Sequence, residues 1–83
     1  MDHITHCISS SMNELLMNHP RFSTVERWEL SDDHYLTLID SASGRLTPCV
    51  PNTEDVRLIN RMLRHTDYRA EHIDLGRVQI VMR

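Results

Sequence analysis

The stretch PNTEDVRLINRMLRHT, residues 51–66, carries the clearest structural signal in the chain. Its apolar residues recur at spacings of three and four, as in an amphipathic helix with one buried face. The buried face is predicted to hold Val56, Ile59, Met62, Leu63 and Thr66, and the opposite face Arg57, Asn60, Arg61 and Arg64. Asn52 or Thr53 is expected to cap the helix, while Glu54 and Asp55 favour its first turn by charge. The sequence therefore predicts one helix within this stretch.

An earlier segment, residues 4–19, also has apolar residues at helical spacing, with Asp2 available as a cap. A helix is the first prediction. The alternative is a short strand over residues 3–8 and a helix that begins only at Met12. It arises because the three consecutive serines at 9–11 disfavour a helix that runs through them. Pro20 ends the element in both versions.

The middle of the chain has the composition of an antiparallel hairpin. Residues 24–30 and 34–40 are rich in β-branched and aromatic residues, and the Ser-Asp-Asp between them is typical of a turn. Trp28 is predicted to lie at the centre of the core. Residues 45–50 are predicted to return as a third, short strand, which Pro48 would confine to a sheet edge.

After the helix, residues 67–71 are predicted to form a polar connection and residues 77–83 a closing strand. If that strand extended back through Gly76, the glycine would be the natural site of a bulge.

These elements predict an α+β fold, with a small antiparallel sheet of three to four strands and two helices on one face, in the order α-β-β-(β)-α-β. The alternative, with residues 3–8 as a strand, is the ferredoxin-like order βαββαβ. Helix, three strands, helix is also the order of double-stranded-RNA-binding domains. Those open their second helix with a basic cluster, whereas residues 52–55 here are NTED, so we recognise no family.

Length and composition predict one globular domain over residues 1–83. The chain is 40% hydrophobic and 25% charged, with only two glycines and three prolines. Because a core of this size gives a small net stability, burial of one face against a second copy would help, and a homodimer or other homo-oligomer is an open expectation.

No apolar run approaches the length of a membrane span, and the N-terminus lacks the positive charge of a signal peptide. We therefore expect a cytoplasmic protein that has no membrane partner. Cys7 and Cys49 are expected to be free thiols, because two cysteines at this spacing without an export signal do not suggest a disulfide framework.

All nine basic residues, counting Lys and Arg, are arginines, and the net charge is −3. Arg57, Arg61 and Arg64 form a stripe on the predicted helix, which Arg69 would extend. Arginine is favoured at protein interfaces and also binds phosphate. The acidic net charge and the absence of interleaved aromatic residues favour a protein partner over nucleic acid, which is the alternative. The same pattern is also that of a solvated helix face that binds nothing.

A metal site would have to use His3, His6, Cys7 and Cys49, since imidazole and thiolate are the preferred zinc ligands. No CxxC or HExxH pattern supports it. A zinc-stabilised module is therefore the third and least favoured hypothesis, and no cofactor is predicted.

Two polar clusters could in principle supply acid and base groups: Asp32, Asp33 and His34, and Asp67, Glu71 and His72. No nucleophile elbow, P-loop or GxGxxG pattern accompanies them. We therefore expect a non-enzymatic protein that binds another macromolecule stoichiometrically, as a regulator or inhibitor. Small accessory proteins of phages and mobile elements share this size and this lack of active-site motifs.

Overall fold

The computed structural model describes residues 2–83, which form two α-helices and five strands. The elements are α1 (His3–Asn18), a short 3-10 helix (Pro20–Phe22), β1 (Val25–Leu30), β2 (Leu36–Asp40), β3 (Thr47–Cys49), α2 (Thr53–Leu63), β4 (Tyr68–Asp74) and β5 (Arg77–Met82). The predicted α+β class and the predicted order of elements are confirmed, and the structure adds β4 to that order.

Helix α1 includes residues 3–8, so the strand alternative and the ferredoxin-like order are wrong. Asp2 caps the helix as predicted, because its Oδ1 accepts a hydrogen bond of 2.7 Å from the backbone N–H of Thr5. Ile8, Met12 and Leu15 are buried. Their burial on one face outweighs the weak helical preference of the serines between them.

Strands β1, β2 and β3 form an antiparallel sheet in that order, which confirms the predicted hairpin and third strand. Leu36 and Leu38 of β2 are buried, and β1 has a register shift between Val25 and Arg27. Pro48 lies in β3 at the edge of the sheet, as predicted.

Strands β4 and β5 form a second antiparallel sheet, so the prediction of a polar connection at residues 67–71 is wrong. Tyr68 and Ala70 point inward and are 4% and 2% exposed, while the polar residues that alternate with them, Arg69 and Glu71, are partly exposed. Gly76 lies in the turn between the strands and not in a bulge. The register shift is in β4, between His72 and Asp74.

The two sheets meet at the start of β2. Tyr35 and Gln79 form an isolated antiparallel bridge, and the backbone N–H of Ile80 donates to the carbonyl of His34 at 2.9 Å. The Gln79 side chain also donates to the carbonyl of Asp33 at 2.9 Å. The outer edge of β5 is therefore partly paired with the first hairpin.

One buried cluster includes residues from both helices and from both sheets. Its largest fully buried side chain is Phe22, which is 2% exposed. Trp28 is only half-buried and packs at the margin of the cluster, where its indole N–H donates to Asn13 Oδ1 at 2.8 Å. The prediction that Trp28 is the centre of the core is wrong, because the indole N–H needs a polar partner and finds it on the exposed side of α1.

Candidate protein-binding surface

Helix α2 begins as the sequence predicts and ends three residues earlier than residue 66. Asn52 caps it: its side chain accepts from the backbone N–H of Asp55 at 2.8 Å, and Asp55 Oδ2 accepts from the backbone N–H of Asn52 at 3.0 Å. At the other end, Thr66 donates from its backbone N–H and its hydroxyl to the carbonyl of Leu63, which closes the helix. These bonds fix both ends of the helix and hence which side faces out.

Asp55 also anchors α2 to the rest of the chain. It is 9% exposed, and its Oδ1 lies 2.5 Å from Nε of Arg21, which follows α1. From the sequence, Asp55 is predicted only to favour the first turn of the helix by its charge. The spacing of Asn52 and Asp55 is the signal for the capping box, but no local pattern indicates Arg21, which lies 34 residues away in the chain.

Asn60 does not lie on the outer face, and that prediction is wrong. Its side-chain amide donates to the carbonyl of Ala70 at 2.9 Å and accepts from the backbone N–H of Ala70 at 2.7 Å. Leu58, which was assigned to neither face, is 8% exposed and belongs to the core cluster. Helix α2 therefore packs on β4 through a side chain that pairs with the strand as a neighbouring backbone would.

The outer side of α2 presents Arg57 and Arg61, and Arg64 follows at the C-cap with helical backbone geometry. We call these three residues the arginine face. All three are exposed, as predicted. Positions 57, 61 and 64 follow one another at spacings of four and three, so they span about two turns, or roughly 10 Å, of one side of the helix. The structure thus brings the three predicted residues together on one surface.

These three arginines also lack carboxylate partners. Within residues 2–83, no carboxylate oxygen lies within 4.0 Å of a nitrogen of Arg57, Arg61 or Arg64. Even Glu54, one turn before Arg57, is farther away than this. Four of the six other arginines do have carboxylate partners: Arg21 with Asp55, Arg27 with Glu29, Arg69 with Glu71, and Arg77 with Asp74. Arg45 and Arg83 have none within 4.0 Å in residues 2–83, but they lie far apart in the chain. The arginine face is therefore the largest group of arginines without an internal counter-ion.

Arg69, the fourth residue of the predicted stripe, lies on β4 and not on α2. Its Nη1 is 3.5 Å from Oε1 of Glu71, and its side chain is 43% exposed. Because that charge already has a partner on the same strand, we do not include Arg69 in the arginine face.

A shallow groove of about 340 Å³ runs beside the arginine face, between α1 and α2. It is lined by Ser11, Glu14, Arg61, Met62, Arg64 and His65. Arginine and methionine are both enriched where proteins bind one another. The groove was not predicted, because it needs the contact between the two helices, and Glu14 and Met62 carry no local signal for it.

The residues predicted as metal ligands do not converge. His3 Nε2 lies 3.4 Å from the sulfur of Cys7, one turn later on α1, while Cys49 is on β3. Within residues 2–83, no three His, Cys, Asp or Glu side chains are grouped as metal ligands would be. Partial desolvation, and then the charges of Asp40 and Asp55, raise the pKa of the Cys49 thiol. This thiol is therefore less available as a thiolate ligand or nucleophile than an ordinary cysteine.

The first of the two polar clusters considered for acid and base roles lies at the tip of the first hairpin. Asp32 and Asp33 are exposed there. His34 has a backbone φ of 68° and its Nε2 is 3.8 Å from Asp2 Oδ2, so the imidazole faces the cap of α1.

The second polar cluster is divided among separate contacts. Glu71 pairs with Arg69, while His72 Nε2 is 3.2 Å from the carbonyl oxygen of Pro51. Near the end of β4, the hydrogen bond from Arg77 is the main cause that lowers the pKa of Asp74. One of these contacts lies within β4 and the other two join β4 to neighbouring segments, so they do not direct several groups to one point.

No protein-family model, curated protein or solved structure matches the chain. Within residues 2–83, neither helix has the length and apolar character needed to cross a membrane. Function can therefore be inferred only from the protein's own surface.

Proposed function

We propose that this protein is a non-catalytic binding module of the cytoplasm that acts stoichiometrically, as a regulator or inhibitor, by docking its arginine face on an acidic surface of a partner protein. The observation that carries the proposal is the set of three exposed arginines on one side of α2 without a carboxylate within 4.0 Å in residues 2–83.

Helix stability alone does not account for these three charges. Like charges at spacings of three and four destabilise a helix by a few tenths of a kcal/mol per pair, and Arg57, Arg61 and Arg64 make two such pairs. A carboxylate partner within the chain would offset that cost, and within residues 2–83 none lies within 4.0 Å of these three side chains. An acidic partner would supply the missing counter-charges, and arginine can pair with each carboxylate in two-point geometry.

The neighbourhood of the arginine face favours a protein over nucleic acid. Single-stranded nucleic acids are bound with aromatic side chains that stack on bases, but Phe22 and Tyr68 are buried and neither Trp28 nor Tyr35 lines the groove beside the arginine face. The net charge of −3 opposes a polyanion as a whole, whereas a protein partner needs only a local acidic patch. The groove with Met62 instead offers an apolar contact beside the charges.

Capture from lysate of the native host tests this proposal. The bait proteins are the wild type, an Arg57/Arg61/Arg64→Ala variant, and a charge-matched control in which Arg45, Arg69 and Arg77 become Ala. We expect the wild type and the control to retain the same protein at a fixed stoichiometry, measured by native mass spectrometry. The variant should lose it, because the three positive charges that pair with the partner's carboxylates are gone.

Treatment of the lysate with nuclease separates the two kinds of partner. Retention of a protein that survives nuclease supports the proposal. Retention of DNA or RNA that falls steeply with salt, and that the triple variant loses, would instead establish the nucleic-acid alternative. Equal retention by the wild type and the triple variant would contradict both.

A further inference from the structure

Three of the four outer strand edges in residues 2–83 are blocked or paired. Strand β3 has Pro48, which has no N–H to donate. Strand β4 is covered at Tyr68, whose N–H and carbonyl both bond to the Thr66 hydroxyl, and at Ala70, which bonds to Asn60. Strand β5 is bridged to the first hairpin through Gln79. Proteins commonly block their edge strands in such ways, which prevents the strands from pairing with another chain.

Strand β1 is the exception. The backbone N–H of Ser31 donates to the carbonyl of Tyr35, so this pair is hydrogen-bonded. In an antiparallel ladder such pairs alternate with pairs that are not hydrogen-bonded, and Trp28 and Leu30 fall in pairs of the second kind. The backbone N–H and carbonyl groups of Trp28 and Leu30 consequently point away from β2. No other strand of residues 2–83 pairs with that side of β1.

The residues on either side of Trp28 carry opposite charges. Arg27 and Glu29 flank it on the exposed face of β1, where Arg27 Nε lies 3.0 Å from Glu29 Oε2. If two copies of β1 pair antiparallel about a two-fold axis at Trp28, Arg27 of each copy lies directly opposite Glu29 of the other. A strand with charges of one sign would repel its own copy at this point, and this strand does not.

We propose that β1 pairs with β1 of a second copy of this chain, in an antiparallel two-fold ladder centred on Trp28. The two Trp28 residues exchange both backbone hydrogen bonds and lie side by side on the inner face, while two Arg27 to Glu29 pairs lie on the outer face. The register shift between Val25 and Arg27 ends the ladder on its N-terminal side, so the pairing is short. The partner is a second copy of this chain because the two-fold axis places Arg27 of each copy opposite Glu29 of the other.

Arg27, Trp28 and Glu29 neither belong to the arginine face nor line the groove beside it, so variants at 27 and 29 leave the residues of the proposed function unchanged. Half-buried Trp28 is the only tryptophan in the chain, so its emission reports the pairing directly. For the wild type, we expect sedimentation velocity and tryptophan emission to show a shift from monomer to dimer between about 1 µM and about 1 mM.

Charge reversal gives the decisive variants. R27E places Glu opposite Glu, and E29R places Arg opposite Arg, so each alone should dimerise about tenfold more weakly or worse. An equimolar mixture of the two should form a heterodimer, and the double variant R27E/E29R should recover the homodimer. The mixture does not restore the ion pair within either chain, so recovery there reports the contact between copies.

Variants R69E and E71R reverse the same kind of pair on β4 and serve as matched controls, which should associate like the wild type. A wild type that stays monomeric throughout this range would overturn the proposal. So would undiminished self-association of R27E, or a mixture of folded R27E and E29R, checked by circular dichroism, that remains monomeric.

Discussion

At the scale of single residues, two polar side chains of α2 hold the helix in place. Asn60 bonds to both backbone groups of Ala70 on β4, and Asp55 reaches Arg21 beyond the end of α1. The remaining polar positions of the helix, Thr53, Glu54, Arg57 and Arg61, all face out. The arginine face is thus a consequence of how α2 is anchored.

The two bonds of Asn60 make a direct prediction. Asn60→Ala should lower the free energy of unfolding by about 2 kcal/mol, because the N–H and carbonyl of Ala70 lose their partners in a part-buried contact. Urea denaturation measures the change. Arg61→Ala, one residue later on the exposed face, is the control and should change the stability by less than about 0.5 kcal/mol. Equal losses in the two variants would contradict the role given to Asn60.

At the scale of elements, the start of α2 combines a capping box with an ion pair. Asn52→Ala should cost about 1 kcal/mol, the usual value of a helix cap. Asp55→Ala should cost more, about 2 kcal/mol, because it removes the other half of the box and leaves Arg21 without its partner. Thermal and urea unfolding of both variants check the order. The exposed neighbour Glu54→Ala is the control, and a loss from it as large as that of Asp55→Ala would refute this assignment.

The elements that the sequence predicts correctly are those with a long or regular pattern. Helix α2 and the first hairpin have it, whereas β4 has only Tyr68 and Ala70 as inward residues among polar neighbours. That alternation is too short to distinguish a strand from a polar connection. Strand β4 forms because β5 pairs along its whole length.

The candidate surface was predictable in part. The spacing of Arg57, Arg61 and Arg64 on an amphipathic helix places them on one side, and the structure agrees. The prediction that Asn60 faces outward is wrong for a physical reason. Asn60 lies at the flank of the buried side of the helix, where a polar side chain can bond either to solvent or to a distant backbone group. Ala70, ten residues away, is that partner, and only the tertiary structure reveals it.

At the scale of the whole molecule, a core of modest size joins two helices and two sheets. The two surfaces for which we propose contacts, the arginine face and the outer edge of β1, share no residue. The arginine face provides positive charge without internal partners, and the outer edge of β1 provides unpaired backbone groups. The net charge of −3 means that acidic residues dominate elsewhere, so the positive charge is local. This separation suits a protein that can pair with itself and still bind an acidic partner.

The central claim is that a partner protein covers the arginine face, and chemical labelling of arginine tests it most directly. All nine basic residues counted as Lys or Arg are arginine, so a dicarbonyl reagent that modifies guanidinium groups reports on each of them. The measurement compares the free protein with the complex captured from its host, and mass spectrometry quantifies the modification at each position. The account predicts that modification of Arg57, Arg61 and Arg64 falls in the complex while that of Arg45, Arg69 and Arg77 is unchanged. Unchanged labelling of Arg57, Arg61 and Arg64 in a stoichiometric complex would contradict it.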